Sequence, residues 1–191
     1  MSFFDTAYGG SPPWDIGRPQ RVVVELAESG EIVGSVLDVG CGTGEHALYL
    51  AERGHEVLGI DSAERAVELA RAKAVERDSD AGFRVWDALR AHELGRVFDT
   101  VIDIGMFHTL ADEERPVYAD ALRRALVPDG RCFLLCWSER NPWGRGPRRV
   151  TQMELLGTFE RGWTVRIEPS LLETKLEGGS VRAWLARLTR A

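Results

Sequence analysis

Residues 36–44 read Val-Leu-Asp-Val-Gly-Cys-Gly-Thr-Gly, a short apolar run that leads into three closely spaced glycines. The apolar run is typical of a buried strand, and residues 43–53 after it have a helical pattern. Glycine adopts positive φ and lets a ligand approach the backbone, and the start of a helix presents unpaired N–H groups. This strand–turn–helix unit therefore predicts an α/β fold with a nucleotide-like ligand at the glycines.

Acidic residues stand at the carboxyl ends of three successive predicted strands. They are Asp38, Asp61 and Asp87. Open α/β sheets bind ligands at this edge, and a carboxylate at Asp61 can accept hydrogen bonds from both hydroxyls of a ribose. The alternative for each acid taken alone is a helix cap or a solvated turn. The glycine spacing differs from the dinucleotide fingerprint because Glu45 occupies its third small position.

Strand-like runs alternate with helical patterns along most of the chain, as in a parallel α/β sheet. The predicted strands are 36–40, 56–60, 83–86, 97–104 and 131–137. The predicted helices are 19–29, 43–53, 63–77, 112–126 and 151–156, the last stopped by Gly157. Two further strand-like runs, 163–176 and 181–189, flank a hairpin turn. Without a repeat or a linker, the sequence predicts one domain, residues 1–191.

The whole pattern resembles the class I S-adenosylmethionine (SAM)-dependent methyltransferases over nearly the full chain. The matching parts are residues 36–44, Asp61, Asp87, residues 98–103, residues 126–130 and the closing hairpin. The resemblance implies an α/β, Rossmann-like fold, with a seven-stranded, mostly parallel sheet, helices on both faces and a C-terminal antiparallel hairpin. It also implies SAM as the cofactor and transfer of its methyl group as the reaction.

The same resemblance implies which residues hold SAM. The Gly40–Gly44 backbone lies under the methionine part, Asp61 holds the ribose, and Asp87 holds the adenine amino group, with the Ala88 N–H reaching the ring. The predicted cofactor-binding residues are Asp38, Gly40, Cys41, Gly42, Thr43, Gly44, Asp61, Ser62, Asp87, Ala88 and Ile104.

An N-terminal segment is the first candidate for the acceptor pocket. Residues 1–30 are interpreted as a lid arm and a helix, and Tyr8, Trp14 and Arg18 on the Pro/Gly-rich arm are predicted substrate contacts. The arm resembles the Trp-Asp-x-Gly segment of the thiopurine and thiol/halide methyltransferases. The alternative is that Trp14 only pins the arm to the sheet.

Two loops are the other candidates for the acceptor pocket. After the fourth strand, Phe107 is a predicted substrate contact and His108 a candidate general base, unless His108 only orders the loop. After the fifth strand, Trp143 and Arg145 are predicted to close over an aromatic or anionic acceptor, unless the loop is simply exposed. His46 is predicted to be structural or exposed.

Charge and cysteine content narrow the class of protein further. The net charge of −6 is uneven, with ten basic and five acidic residues in 140–191, but the basic residues are spread out, which favours a solvated surface over a nucleic-acid site. An odd number of cysteines without framework spacing argues against disulfides, and Cys132 and Cys136 are predicted to share a buried strand face. No metal site is predicted.

The sequence carries no apolar run near the roughly 18 residues of a membrane helix and no signal-peptide pattern at its start, which predicts a cytoplasmic location. The leading hypothesis is a methyltransferase acting on a sulfur, nitrogen or oxygen atom of a small molecule. Its alternatives are an RNA- or protein-modifying methyltransferase and a SAM-binding protein without catalysis. The oligomeric state does not follow from the sequence.

Overall fold

A computed structural model of the chain describes residues 3–142, 144 and 146–191. One sheet holds its strands in the order β3-β2-β1-β4-β5-β7-β6. The strands are β1 (Val36–Val39), β2 (Val57–Asp61), β3 (Gly82–Val85), β4 (Phe98–Ile104), β5 (Leu126–Trp137), β6 (Trp163–Glu173) and β7 (Ser180–Arg190). The helices are α1 (Phe3–Ala7), α2 (Arg21–Glu28), α3 (Glu45–Ala51), α4 (Glu64–Glu76), α5 (Glu114–Ala125) and α6 (Gln152–Thr158).

The register confirms the predicted seven-stranded, mostly parallel sheet. Strand β1 pairs in parallel with β2 and β4, so that Val39 lies between Ile60 and Asp103. Strand β7 runs antiparallel to both β5 and β6, which forms the closing hairpin. The carboxyl ends of the parallel strands therefore meet at one edge.

Alternating side chains on the strands build an apolar core on each face of the sheet. On one face, Leu37 and Leu134 pack with residues of α5 and α6 such as Leu122. On the other face, Val36 and Leu135 pack with residues of α2, α3 and α4. Because strand side chains alternate in direction, one buried parallel strand supplies both cores, which requires helices on both faces.

The glycine turn fixes where the helix after β1 begins. Helix α3 begins at Glu45 rather than at the predicted residue 43, because Gly44 adopts φ +85° at its N-cap. A Cβ atom at Gly44 would lie 2.7 Å from the Phe83 ring, so the close contact of this turn with β3 also requires glycine.

Two further predicted boundaries differ from the structure. The strand β5 begins directly after α5, and the predicted Pro-Asp-Gly turn is an excursion within it, where the pairing with β4 shifts and Asp129 has φ +60°. Helix α6 passes through Gly157 to Thr158, whose hydroxyl donates to the Glu154 carbonyl. A capping box of Thr151 and Glu154 begins this helix.

The interior and the charges agree with the sequence interpretation. Cys132 and Cys136 are free thiols in the same apolar cluster, as predicted. Several C-terminal arginines are used in ion pairs, for example Arg187 with Glu31 and Glu168. Within the described part of the chain, no helix has both the length and the apolar character that crossing a bilayer would require.

Candidate active site

A cavity of about 990 Å³ opens at the carboxyl edge of the sheet. Gly42 after β1, Asp61 at the end of β2, Ile104 at the end of β4 and Trp137 at the end of β5 all line it. Ligand sites commonly enclose roughly 300–1,000 Å³, so this cavity has room for a cofactor and a second small molecule.

Most of the predicted cofactor-binding residues meet in this cavity. Those that line it are Gly40, Cys41, Gly42, Thr43, Asp61, Ser62, Asp87, Ala88 and Ile104. Asp38 and Gly44 do not: Asp38 is 1% exposed beneath the turn, and Gly44 faces Phe83. Trp86 and Met106, which the sequence analysis did not assign, also line the cavity.

The Asp61 carboxylate is oriented by backbone groups. The Gly42 N–H donates to Oδ2 at 2.9 Å and the Ala63 N–H donates to Oδ1 at 2.8 Å. Burial raises the pKa of Asp61 above its usual value, although these backbone hydrogen bonds oppose the shift. Each oxygen keeps a further lone pair, so the carboxylate can also accept from a bound ligand.

Tyr8 lies directly against the glycine turn. A Cβ atom at Gly42 would lie 2.7 Å from the Tyr8 hydroxyl, so only glycine leaves space here. The Trp14 indole N–H donates to this hydroxyl at 3.0 Å, and Phe4 packs edge-on against Trp14 at 6.0 Å between ring centroids. The predicted lid arm thus covers the cavity on the Asp61 side.

The arm is tied to the hairpin at the other end of the sheet. The Arg18 guanidinium makes two hydrogen bonds to the Glu173 carboxylate, at 2.8 and 3.1 Å. Gln20 exchanges two hydrogen bonds with the backbone of Glu173, and the Lys175 N–H donates to the Pro13 carbonyl. Arg18 lines the cavity, but its charge is neutralised within the chain.

A polar chain connects the arm to the first turn of α3. The Thr43 hydroxyl donates to the Asp15 carboxylate at 3.1 Å and accepts from the Lys73 ammonium at 2.7 Å. Lys73 in turn pairs with the buried Glu45 carboxylate at 2.7 Å. These contacts hold Asp15 over the glycine turn and leave Glu45 fully paired.

Asp38 lies below the cavity and supports the turn. Its carboxyl group accepts a hydrogen bond from the Ala47 backbone, and its Oδ2 atom has no partner among the described residues. Burial, reinforced by the charges of Asp61 and Asp103, raises the pKa of Asp38 to about 8. A buried carboxyl in this position anchors α3 rather than contacting a ligand in the cavity.

His108 reaches the cavity, but its surroundings oppose the predicted role of general base. Its Nδ1 atom accepts a hydrogen bond from the Trp137 backbone N–H at 3.2 Å. Burial, with the charge of Arg115, lowers the pKa of His108 to about 3. A neutral ring that accepts at Nδ1 carries its proton on Nε2, so His108 is arranged to donate and not to accept.

Phe107 is not a cavity residue, which corrects its assignment as a substrate contact. Its side chain is fully buried and packs against Tyr118 and Phe159, with ring centroids 6.2 and 5.8 Å away. Its backbone N–H donates to the Asp103 carboxylate, which turns the ring into the core below the sheet edge.

The loop after β5 also borders the cavity. The predicted contacts Trp143 and Arg145 lie outside the described residues. Gly146 lies against the Trp137 ring, which a Cβ atom at this position would approach to 2.7 Å. Arg148 lines the cavity and is paired with Asp112 and Glu154.

His46, predicted to be structural or exposed, is a further cavity residue that the sequence analysis did not assign to the site. It is the second residue of α3, and it lines the cavity together with Trp137 and the arm. Its only signal in the sequence is its place directly after the glycine turn, where a side chain can face a ligand bound at the turn.

The glycine turn after β1, the carboxylate after β2 and the closing antiparallel hairpin define a class I methyltransferase. The residues present fit SAM. At Gly42 only glycine fits, so the backbone itself borders the cavity, and the Asp61 carboxylate borders it as well. The family model of the methyltransferase domain matches residues 36–130. The chain belongs to the SAM-dependent methyltransferases.

Three comparisons illustrate this membership. The chain is 36% identical over 190 residues to the 2-heptyl-1-hydroxyquinolin-4(1H)-one methyltransferase of Mycobacteroides abscessus, covering 93% of this chain and 84% of the relative. It is 29% identical over 147 residues to the probable thiol methyltransferase 2 of Arabidopsis thaliana, covering 76% and 65%. A solved structure from work on the conversion of a disulfide bond into a thioacetal group during echinomycin biosynthesis superimposes with a TM-score of 0.89 at 37% identity, covering 98% of this chain and 90% of the other.

Proposed function

We propose that the protein methylates a hydroxyl or thiol group on an uncharged, flat heteroaromatic compound. The observation that carries this proposal is the lining of the cavity on the acceptor side. The indole ring of Trp137 lines it together with the aliphatic side chains of Ile16, Leu172 and Leu176. Such a surface favours a flat apolar ring system, because aromatic and aliphatic walls bury large apolar area.

The charges that border the cavity argue against an anionic acceptor. Arg18 is paired with Glu173, and Arg148 is paired with Asp112 and Glu154. Binding an anion through either arginine would first require breaking these pairs. An uncharged acceptor needs no such change.

The cofactor half of the cavity suits SAM through residues of this chain. When bound, SAM supplies an electrophilic methyl group, so the protein has mainly to bind, orient and desolvate. Asp61 would hold the ribose hydroxyls, and Asp87 and Ala88 would hold the adenine. The close packing of Tyr8 and Trp14 would keep water from the reacting atoms.

Two relatives support the choice of acceptor. The mycobacterial relative is named for a hydroxyquinolone and the plant relative for thiols. Both names describe small acceptors, the first of them a flat heteroaromatic ring with a hydroxyl group. The single sheet supports one domain over residues 1–191. The cytoplasmic location and the lack of a nucleic-acid partner stay predictions.

The test is a methyl-transfer assay with labelled SAM. The acceptors are a 2-alkyl-1-hydroxyquinolin-4-one, a quinoline thiol, a quinoline carboxylic acid and total RNA. We expect label in the hydroxyl and thiol compounds and background label in the other two, with Asp61→Ala as the background control. Label confined to RNA or to the carboxylic acid would refute the proposal.

A further inference from the structure

We propose that His46 is a catalytic residue that accepts the hydrogen bond of the acceptor's hydroxyl group and takes its proton during methyl transfer. The inference rests on the proposed function, because it concerns a hydroxyl acceptor in the same cavity. Its starting point is that His46 lines this cavity while its imidazole makes no hydrogen bond to another described residue.

The hydrogen bonding of His46 differs from that of the other polar residues around it. The buried Nε2 atom of His46 has no hydrogen-bond partner, and no other described residue of the cavity lining has a buried side-chain nitrogen or oxygen in that condition. Asp15, Glu45 and His108 are all bonded within the chain. The Nδ1 atom of His46 makes no hydrogen bond to a described residue either and is not among the enclosed atoms, so it is the ring nitrogen that a ligand in the cavity can reach.

The charges around His46 suit a proton acceptor. Burial lowers the pKa of His46 to about 4, but the nearby carboxylates of Asp15 and Glu45 oppose that shift, whereas the charge of Arg115 lowers the pKa of His108 further. The ring is therefore neutral at pH 7 and has a lone pair to offer. The Asp15 carboxylate on the arm would stabilise the ring once it is protonated, whereas Glu45 is already paired with Lys73 and Arg77.

The step balances in atoms and in charge. The acceptor's O–H bond breaks and its proton goes to the His46 ring. The oxygen forms a bond to the methyl carbon, and the electron pair of the breaking S–CH₃ bond stays on sulfur. One positive charge is lost at the sulfonium as one appears on the imidazole. The net charge of the desolvated cavity is unchanged, which keeps the step compatible with an apolar lining.

Single-turnover rates of a His46→Gln variant test the role. Glutamine keeps a polar side chain but is not a base. We expect transfer to the hydroxyquinolone to slow roughly thirtyfold or more, within the range of general-base effects, and transfer to a thiol to slow less than about threefold. His55→Gln is the matched control, because the His55 ring lies 3.0 Å from the Gly34 carbonyl and does not line the cavity.

Binding without turnover gives an independent measurement. Calorimetry should show His46→Ala weakening the hydroxyquinolone by roughly three- to tenfold, as expected for one hydrogen bond, and leaving its O-methyl ether unchanged. Equal slowing of both acceptors, or a weaker affinity for SAM in a folded variant, would overturn the assignment. A failure of the proposed function looks different, since the wild-type protein itself would then form no product.

Discussion

Asp61 connects three parts of the site with one carboxylate. It receives N–H groups from Gly42 and Ala63 and borders the cavity where the ribose would lie. A side chain that organises its own turn and also binds the ligand is more sensitive to substitution than one that does either alone. Its removal should therefore affect cofactor binding first.

We expect Asp61→Ala to lower the affinity for SAM at least about tenfold. Hydrogen bonds to a charged group contribute about 1.5–3 kcal/mol each, and about 1.4 kcal/mol corresponds to tenfold in affinity. Titration calorimetry measures the change. Asp99→Ala is the control, because Asp99 bonds Ser35 at the opposite edge of the sheet. Unchanged affinity in folded Asp61→Ala would remove Asp61 from the site.

His108 should behave as a structural residue of the cavity. His108→Ala leaves the Trp137 N–H without its acceptor, so we expect a loss of about 1–3 kcal/mol in the free energy of unfolding. Transfer to hydroxyl and thiol acceptors should slow by similar factors, since no proton transfer is removed. Denaturant titration and single-turnover kinetics measure both effects. Selective slowing of the hydroxyl acceptor would restore the general-base role.

The sequence indicated which segments build the site more reliably than which side chains face it. The carboxylates at Asp61 and Asp87 followed from their places at strand ends. Phe107 and His108 are adjacent in one short turn, yet one points into the core and the other into the cavity. His46 was predicted to be structural or exposed. The cavity that it lines is completed by the arm, which is distant in sequence, so local sequence did not reveal it.

At the scale of elements, the predicted strands and helices after residue 19 were found, most with small shifts at their ends, while β5 begins at Leu126 rather than at the predicted residue 131. The differences have local causes. Helix α3 begins later than predicted because Gly44 has a positive φ. Gly157 does not end α6, because the capping box of Thr151 and Glu154 begins the helix and the Thr158 hydroxyl donates to the Glu154 carbonyl beyond Gly157. Helix α1 was not predicted, since a helix of 5 residues has little intrinsic stability and forms by packing against α4.

The arm is the element whose motion should matter for binding. Ion pairs with exposed partners contribute little, so the Arg18–Glu173 contact holds the arm only weakly. We expect amide hydrogens of residues 5–17 to exchange more slowly when SAM is bound. Hydrogen exchange with mass spectrometry measures this. Equal protection with and without SAM would make the arm a fixed part of the fold.

A substitution of Glu173, which bonds Arg18, gives a second measurement on the arm. Glu173→Gln removes the charge that Arg18 and the Arg21 backbone contact. Exchange in the arm should rise several-fold without SAM, and SAM should dissociate faster, with little change in overall stability. Glu168→Gln, on the same strand but paired with Arg187, is the control. Identical exchange in both variants would contradict the role of the Arg18–Glu173 contact in holding the arm.

At the scale of the whole molecule, the buried carboxyl group beneath the cavity makes stability depend on pH. The pKa of Asp38 rises from 3.8 to about 8 on folding. Between these values the folded state keeps a proton that the unfolded chain loses. The free energy of unfolding should therefore fall as pH rises from about 4 to about 8, by up to about 1.4 kcal/mol per pH unit.

Asp38→Asn tests this dependence, because asparagine is uncharged at every pH in the window. Denaturant unfolding at pH 5, 6, 7 and 8 should give a flatter profile for the variant than for the wild type. Asp103, whose pKa burial raises to about 6, is present in both proteins, but its charge acts on Asp38, so the difference between the two profiles reports the coupled pair. Parallel profiles would show that Asp38 ionises normally in the folded state.

The contacts between the arm and the closing hairpin also determine when the cavity is completed during protein synthesis. Residues 13–20, which border the cavity, are held in part by contacts with residues 173–175, which are synthesised some 155 residues later. Contacts so far apart in sequence form late, since the chain between them must first be ordered. A ribosome-bound chain that has emerged only as far as β5 can fold the glycine turn, but it has no finished cover for a ligand. The nascent protein thus gains its cover in one of the last events of synthesis.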